Sequence, residues 1–428
     1  MMIEYARYTV KVNSGSGCLY RVGDHGFTYV LTARHNLSDS MVVERHFLDS
    51  LGQPVTVALR IIGAYPHPDV NKDAALIQVE WLEDAEPLAR IEDPVAVGGR
   101  FMLAGYPYSR TTKPYKYRED GLSISIRQAF GYIEAQLDRP TAFNEVVGFS
   151  GGGVFLTEGS QVYLAGTQVR MAVDDEKEML SRIEFVPLHF FDEIVAHFDL
   201  VPLIPEHQFC FSRLKDYALL LSGCILPDNV KFTRQYLQST TDGIVSSGLT
   251  PEVIKSFFHT RLLIYSQSPL ALGQRTLWIA WLEFLIILNI IRDEQVSDQN
   301  IEQLFNEFRL IYSATQDDWA AELPNIIRSD FRGMPINAKI IVATSKAKKP
   351  VIFPGMIDDI VKGRSAPKSQ LQIDEGISNP LVDYKLIHLQ AFELHGIVNN
   401  EQDYAGFSAL NENALLLKLK QEFNALFN

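Results

Sequence analysis

The sequence predicts a two-part chain, with a β-rich segment over roughly its first two hundred residues and a mainly α-helical segment after it. Three observations predict this. Short runs rich in Val, Ile, Tyr and Phe recur through the first part with turn residues between them, a spacing that favours a barrel or sandwich. From about residue 211 onward, long apolar-periodic stretches take over. At 428 residues the chain is also too long for one ordinary core. The boundary falls in "VPLIPEHQF", and we set the two domains at 1–204 and 205–428.

The β-like runs, in order, are "ARYTVKV", "GCLYRV", "FTYVLTA", "VTVALRIIGAY", "AALIQVE", "GRFMLAGY", "LSISIRQAFGYIEA" and "QVYLAGTQVRMA". "LHFFDEIVAHFDL" at 188–200 then carries helical periodicity through Phe190, Ile194, Val195 and Phe198. Helical stretches are expected at 213–222, 251–265, 271–292, 299–313 and 412–427. Thr250 followed by Pro251 makes an N-cap and first-turn pair for the second of these. "AKIIVATSKAKKPVIF" reads as a β-hairpin with Lys346, Lys348 and Lys349 in its loop, and 362–372 as an exposed polar loop.

Composition narrows the function classes. A formal net charge of −13 argues against a dedicated nucleic-acid binder, which normally presents a basic face. The run "LWIAWLEFLIILNII" at 277–291 is shorter than the roughly 20 residues needed to span a bilayer, so it is expected as a buried core helix. Three scattered cysteines make no disulfide framework, and the start carries no secretory pattern, so the expected compartment is the cytoplasm. No metal-ligand cluster, P-loop or cofactor motif is present in the sequence, and no cofactor is expected.

Three strings carry chemistry together: "YVLTARHNL" with His35, "NKDAALIQVE" with Asp73, and "GFSGGG" with Ser150. Serine hydrolysis needs a hydroxyl, an imidazole to take its proton, and a carboxylate that fixes the imidazole tautomer. A glycine turn around the serine lets backbone N–H groups reach a developing oxyanion. Each string alone is commonplace, and the order His, Asp, Ser within one β-rich segment is what gives the set its meaning. "GFSGG" also fits the G-x-S-x-G elbow of α/β-hydrolases. That elbow needs a helix directly after the serine and the histidine last in the chain, and here a β-hairpin around Glu158-Gly159-Ser160 is expected instead. Asp69 competes with Asp73; Asp73 is preferred because the apolar "AALI" follows it and anchors it at a strand start.

"TARH", "DAALI" and "GFSGGG" resemble the T-A-x-H, D-x-A-L-L/I and G-x-S-G-G strings of chymotrypsin-like (trypsin-fold) serine peptidases over residues 1–200. The resemblance implies two six-stranded antiparallel β-barrels, then a helix where 188–200 stands. It implies Ser150 as nucleophile, His35 as general base and then acid, Asp73 as its orienting carboxylate, and the N–H groups of Gly148 and Ser150 as oxyanion hole. The substrate pocket would fall at Asn144 and Glu145, with Arg170 on its wall. Phe149 stands where secreted members carry an Asp that pairs with a freshly cut N-terminus, so activation by such a cut is not expected. The joining of a peptidase to a helical region without chemistry is similar to bacterial ABC-three-component conflict systems, in which an ATPase is encoded separately. That similarity implies a protein or peptide substrate, a regulatory protein partner engaged through the C-terminal domain, and an antiviral role. The alternative is a catalytically inactive trypsin-fold scaffold.

Overall fold

Short strands rich in Val, Ile, Tyr and Leu have apolar faces to bury, and the chain covers them by curling antiparallel sheets. The computed structural model describes residues 5–23, 25–48, 52–110, 116–141, 143–159, 161–172, 181–292, 295–314, 319–335, 338–345 and 385–427. The chain divides into two units, Met1–Phe209 and Cys210–Asn428.

In the first unit, β1 (Thr9–Val12), β2 (Gly15–Tyr20), β3 (Phe27–Thr32), β4 (Val43–Leu48), β5 (Pro54–Ala58), β6 (Ile61–Pro66) and β7 (Ala75–Glu80) form one antiparallel sheet. Its order is β5-β4-β1-β2-β3-β7-β6. A second sheet contains β8 (Ala89–Arg90), β9 (Arg100–Gly105), β10 (Arg118–Arg127), β11 (Ile133–Leu137), β12 (Gly153–Glu158), β13 (Gln161–Met171) and β14 (Arg182–Pro187). The order β12-β9-β10-β11-β14-β13 closes through a β12–β13 pairing into a six-stranded barrel, and β8 adds to β13 in parallel. The expected two-barrel architecture is thus present, with a closed six-stranded second barrel and a half-barrel sheet as its first member. That sheet has seven strands, and no pairing among the described residues joins its edges β5 and β6. As an edge strand, β5 leaves nearly every side chain exposed.

Among the described residues four α-helices punctuate the unit: α1 (Pro94–Val97), α2 (Phe143–Val146), α3 (Leu188–Phe198) and α4 (Glu206–Phe209). The third buries Leu188, Phe190, Phe191, Ile194 and Val195, and ends where Asp199 turns left-handed and returns its N–H to the Val195 carbonyl.

The second unit holds α5 (Lys231–Ser246), α6 (Pro251–Phe258), α7 (Arg275–Ile291), α8 (Ile301–Glu307), β15 (Phe308–Ser313), α9 (Leu323–Ile327), β16 (Lys339–Thr344), β17 (Lys385–His388), α10 (Gln390–Gly396) and α11 (Glu412–Phe427). Its core centres on α7, whose Trp278 and Trp281 are both fully buried. The Thr250 hydroxyl caps α6 by accepting the Val253 N–H at 3.2 Å. No helix among the described residues is long and apolar enough to cross a membrane.

Three expectations for this unit are corrected. The stretch 213–222 is not an α-helix: a 3-10 turn covers Phe211–Tyr217, and the chain then passes through left-handed Leu219 and Leu221. The stretch 299–313 is half helix and half strand, α8 running into β15. The first strand of the supposed hairpin, β16, instead pairs in parallel with β15 and β17 in the order β15-β16-β17, and the hairpin's second strand lies outside the described residues. Lys346, Lys348, Lys349 and the loop 362–372 lie outside the described residues.

Candidate active site

His35 reaches its place because β3 stops at Thr32 and a 3-10 turn, Arg34–Asn36, follows extended Ala33. The Arg34 guanidinium ties that turn to the His67 carbonyl at 2.9 Å. His67 in turn donates its N–H to the Ala74 carbonyl at 2.9 Å, closing the loop that carries Asp73 into β7. His35 and Asp73 then meet twice: Nδ1 lies 2.7 Å from Asp73 Oδ2, and the His35 backbone N–H donates to Oδ1 at 3.1 Å. A proton held on Nδ1 by the carboxylate leaves Nε2 as the basic nitrogen of the neutral ring. Burial by itself pushes the Asp73 carboxyl up, but the hydrogen bond and charge of His35, with the backbone N–H groups of His35 and Arg34, hold it below its ordinary value. Asp69 does not compete. Its carboxylate accepts the Asn71 N–H at 2.9 Å in a local turn.

Tyr132, unmarked in the sequence reading, steadies the other side of Asp73. Its hydroxyl accepts the Asp73 N–H at 2.9 Å and donates to the Asn71 carbonyl at 2.7 Å.

Ser150 sits in the turn between α2 and β12, and a strand, not a helix, follows it, as the rejection of the hydrolase elbow requires. The carbonyls of the turn are each held by a hydrogen bond, and two of these fix the direction of the peptides that follow. The Val147 carbonyl accepts the Tyr108 N–H at 2.7 Å, and the Phe149 carbonyl accepts the Gly152 N–H at 2.6 Å. In a planar trans peptide the N–H points opposite to its carbonyl, so the N–H groups of Gly148 and Ser150 face away from those anchors. Neither donates to any described residue. Phe149, between them, spends its N–H on the Val146 carbonyl at 2.9 Å. Two undonated N–H groups beside one hydroxyl are what an oxyanion-binding turn requires.

The turn needs its glycines. Gly148 has φ +95, and a Cβ there would stand 2.7 Å from the Tyr108 nitrogen and 2.9 Å from the Tyr106 oxygen. Gly151, at φ +88, would drive a Cβ into the Ser16 carbonyl. Phe149 is fully buried, its ring against Gly105, and so acts as core filling under the turn.

The Ser150 hydroxyl donates to the Val169 carbonyl at 3.0 Å. Among the described residues no hydrogen bond joins it to His35. Of the pocket residues read from the resemblance, Arg170 stands on β13 with its Nε on Glu184 Oε2 at 2.7 Å and its guanidinium 4.8 Å from the Tyr132 ring centre. Glu145 is half-buried on α2; Asn144 lies on the same helix, but its side chain is outside the described residues. Among the described residues no group of three His, Cys, Asp or Glu is placed to hold a metal ion.

Sequence reading also passed over Ser16, Thr32 and Asn36, which surround the turn from the first sheet. The Ser16 N–H and the Asn36 side-chain amide both donate to the Ser150 carbonyl at 2.7 Å. The only local signal was position: Asn36 directly follows His35.

Comparison with known proteins adds two findings. The family model described as C-terminal domain 4 of the ABC-three component systems matches residues 185–398, half of the chain. Among solved structures, kallikrein-related peptidase 10 aligns with a TM-score of 0.35 at 16% identity, covering 45% of this chain and 96% of that one. A structure of the same peptidase in complex with Zn2+ aligns at 0.34 with the same identity and coverage. No curated protein matches.

Proposed function

Because the chain belongs to the family defined by C-terminal domain 4 of the ABC-three component systems, we propose that it is the serine endopeptidase of such a system, with the peptidase in its β-rich part (1–204) and a partner-binding role in the remainder (205–428). The observation that carries the reading is the pairing of His35 with Asp73 in one part of the unit, and two undonated N–H groups flanking Ser150 in another. In the proposed reaction Ser150 Oγ attacks the scissile carbonyl carbon while His35 Nε2 takes its proton. Gly148 and Ser150 N–H groups hold the oxyanion, and His35 returns the proton to the leaving amine. Water then hydrolyses the acyl-enzyme by the same route. Asp73, ionised, stabilises the imidazolium formed on the way. Asn144, Glu145 and Arg170 remain the candidate substrate contacts, with Arg170 already engaged by Glu184.

Control is assigned to a protein partner acting through the second unit, with defence against phage as the biological output and the cytoplasm as the compartment. A scaffold without turnover is the second reading. The observation that favours it is the Ser150 hydroxyl, which is donated to Val169 and not to His35. The complete system, challenged with phage, separates the two. Peptidase action predicts that Ser150→Ala and His35→Ala each abolish protection at normal protein level, and full protection by both variants would leave only the scaffold.

A further inference from the structure

Ser150 and His35 belong to different sheets, and an attack geometry good to a fraction of an ångström has to be fixed across the gap between them. Two side chains on the first sheet's side, Asn36 and Ser16, reach across it to the serine turn. Asn36, the residue after His35 in the same 3-10 turn, is buried and sends its Nδ2 to the Ser150 carbonyl at 2.7 Å. Its amide is oriented by the Thr32 hydroxyl, 3.0 Å away, which itself donates to the Ser16 carbonyl at 2.7 Å. Ser16 completes the grip, with its N–H on the Ser150 carbonyl and its hydroxyl on the Gly148 carbonyl, each at 2.7 Å. The same Ser16 hydroxyl accepts the Tyr106 N–H at 2.8 Å.

We infer that Asn36 is a positioning residue: it sets where Ser150 stands relative to His35, with Ser16 and Thr32 holding it in register. The inference rests on the proposed peptidase reading for its catalytic consequence, though not for its structural one. The turn that bears the base also holds the main chain of the nucleophile, so a movement of either is felt by the other. The hydrogen bonds of the clamp all lie within the first unit.

Asn36→Ala in the full chain is tested by two readouts, the rate of fluorophosphonate labelling and amide hydrogen exchange in the segment 149–153. Thr32→Val, which keeps side-chain shape and removes only the orienting hydroxyl, covers the case in which Asn36→Ala fails to fold. Expected for Asn36→Ala is an unchanged melting temperature to within a few degrees, labelling slowed by about 10- to 100-fold, and faster exchange at Gly151 and Gly152. Thr32→Val should show the same pattern at a few-fold. Labelling and exchange both at wild-type values would overturn the inference, and so would slowed labelling with exchange unchanged. If the wild type does not label even with the other components of its system present, while exchange still rises in the variant, the peptidase reading falls and the clamp stands.

Discussion

Asp73 and Asp69 lie four residues apart, and only one of them meets His35. Asp73→Asn should slow labelling of Ser150 by about 10³–10⁴-fold through the wrong imidazole tautomer, whereas Asp69→Asn should stay within about twofold, having lost only a local turn bond. Acid stability tests the His35–Asp73 pairing as well. The folded Asp73 carboxyl is held below its ordinary value of 3.8, so the pairing stabilises the fold above that range and is lost as pH falls through the lower folded value. An acid titration of Asp73→Asn should accordingly be shallower than wild type. Phe149 makes a different point. A carboxylate there would be fully buried, and the Arg118 group nearest its ring is already paired with Asp120 at 2.7 Å. Phe149→Asp is expected to cost about 3 kcal/mol or more in chemical denaturation, and a change under about 1 kcal/mol would contradict the core-filling role. The meeting of His35 with Asp73 was legible in the sequence from the joint order of three strings that are each commonplace alone. Asn36 and Ser16 were not, since their partners lie 114 and 132 residues away along the chain.

Elements were legible where the buried stripe is apolar. α7 and α11 read directly from their Leu, Ile, Trp and Phe content. α5 escaped notice because its buried positions are Thr233, Leu237, Thr241 and Ile244, so half of its inward stripe is threonine. β15 was absorbed into a predicted helix because a strand buried on both faces reads as a continuous apolar run, which periodicity alone does not tell from helix. The failed helix at 213–222 meets α7. Glu283 is half-buried there and accepts the Leu219 N–H at 2.9 Å, at a residue that takes a left-handed turn. Burial pushes the Glu283 carboxyl from 4.5 up to about 8, against the Leu219 hydrogen bond and with help from the charge of Glu393. A raised folded value means that the folded state holds the proton more tightly. Stability from this group is therefore present below about 4.5 and lost as pH rises towards about 8. Glu283→Gln keeps the accepting oxygen and removes the titration. In urea unfolding it should match wild type near pH 5 and exceed it by about 2–4 kcal/mol near pH 8.5; parallel pH curves for the two proteins would refute this.

At the scale of the whole molecule, two units with separate cores divide the work: one carries all the candidate chemistry, and the other matches a domain of a multi-component system over most of its described length. The division into a β-rich and a helical part was legible from texture, while closure of the second barrel and the open edges of the first sheet depend on long-range pairing that no local string records. The central claim is that Ser150 is a nucleophile served by a turn already shaped for an oxyanion. The most direct test is fluorophosphonate treatment of the purified full chain, with and without the other components of its system, followed by intact-mass and peptide mass spectrometry. The account predicts one adduct per chain, located on Ser150, absent in Ser150→Ala and suppressed at least about 100-fold in Gly148→Ala, where a Cβ displaces one oxyanion donor. No adduct on Ser150 under any of these conditions would contradict it.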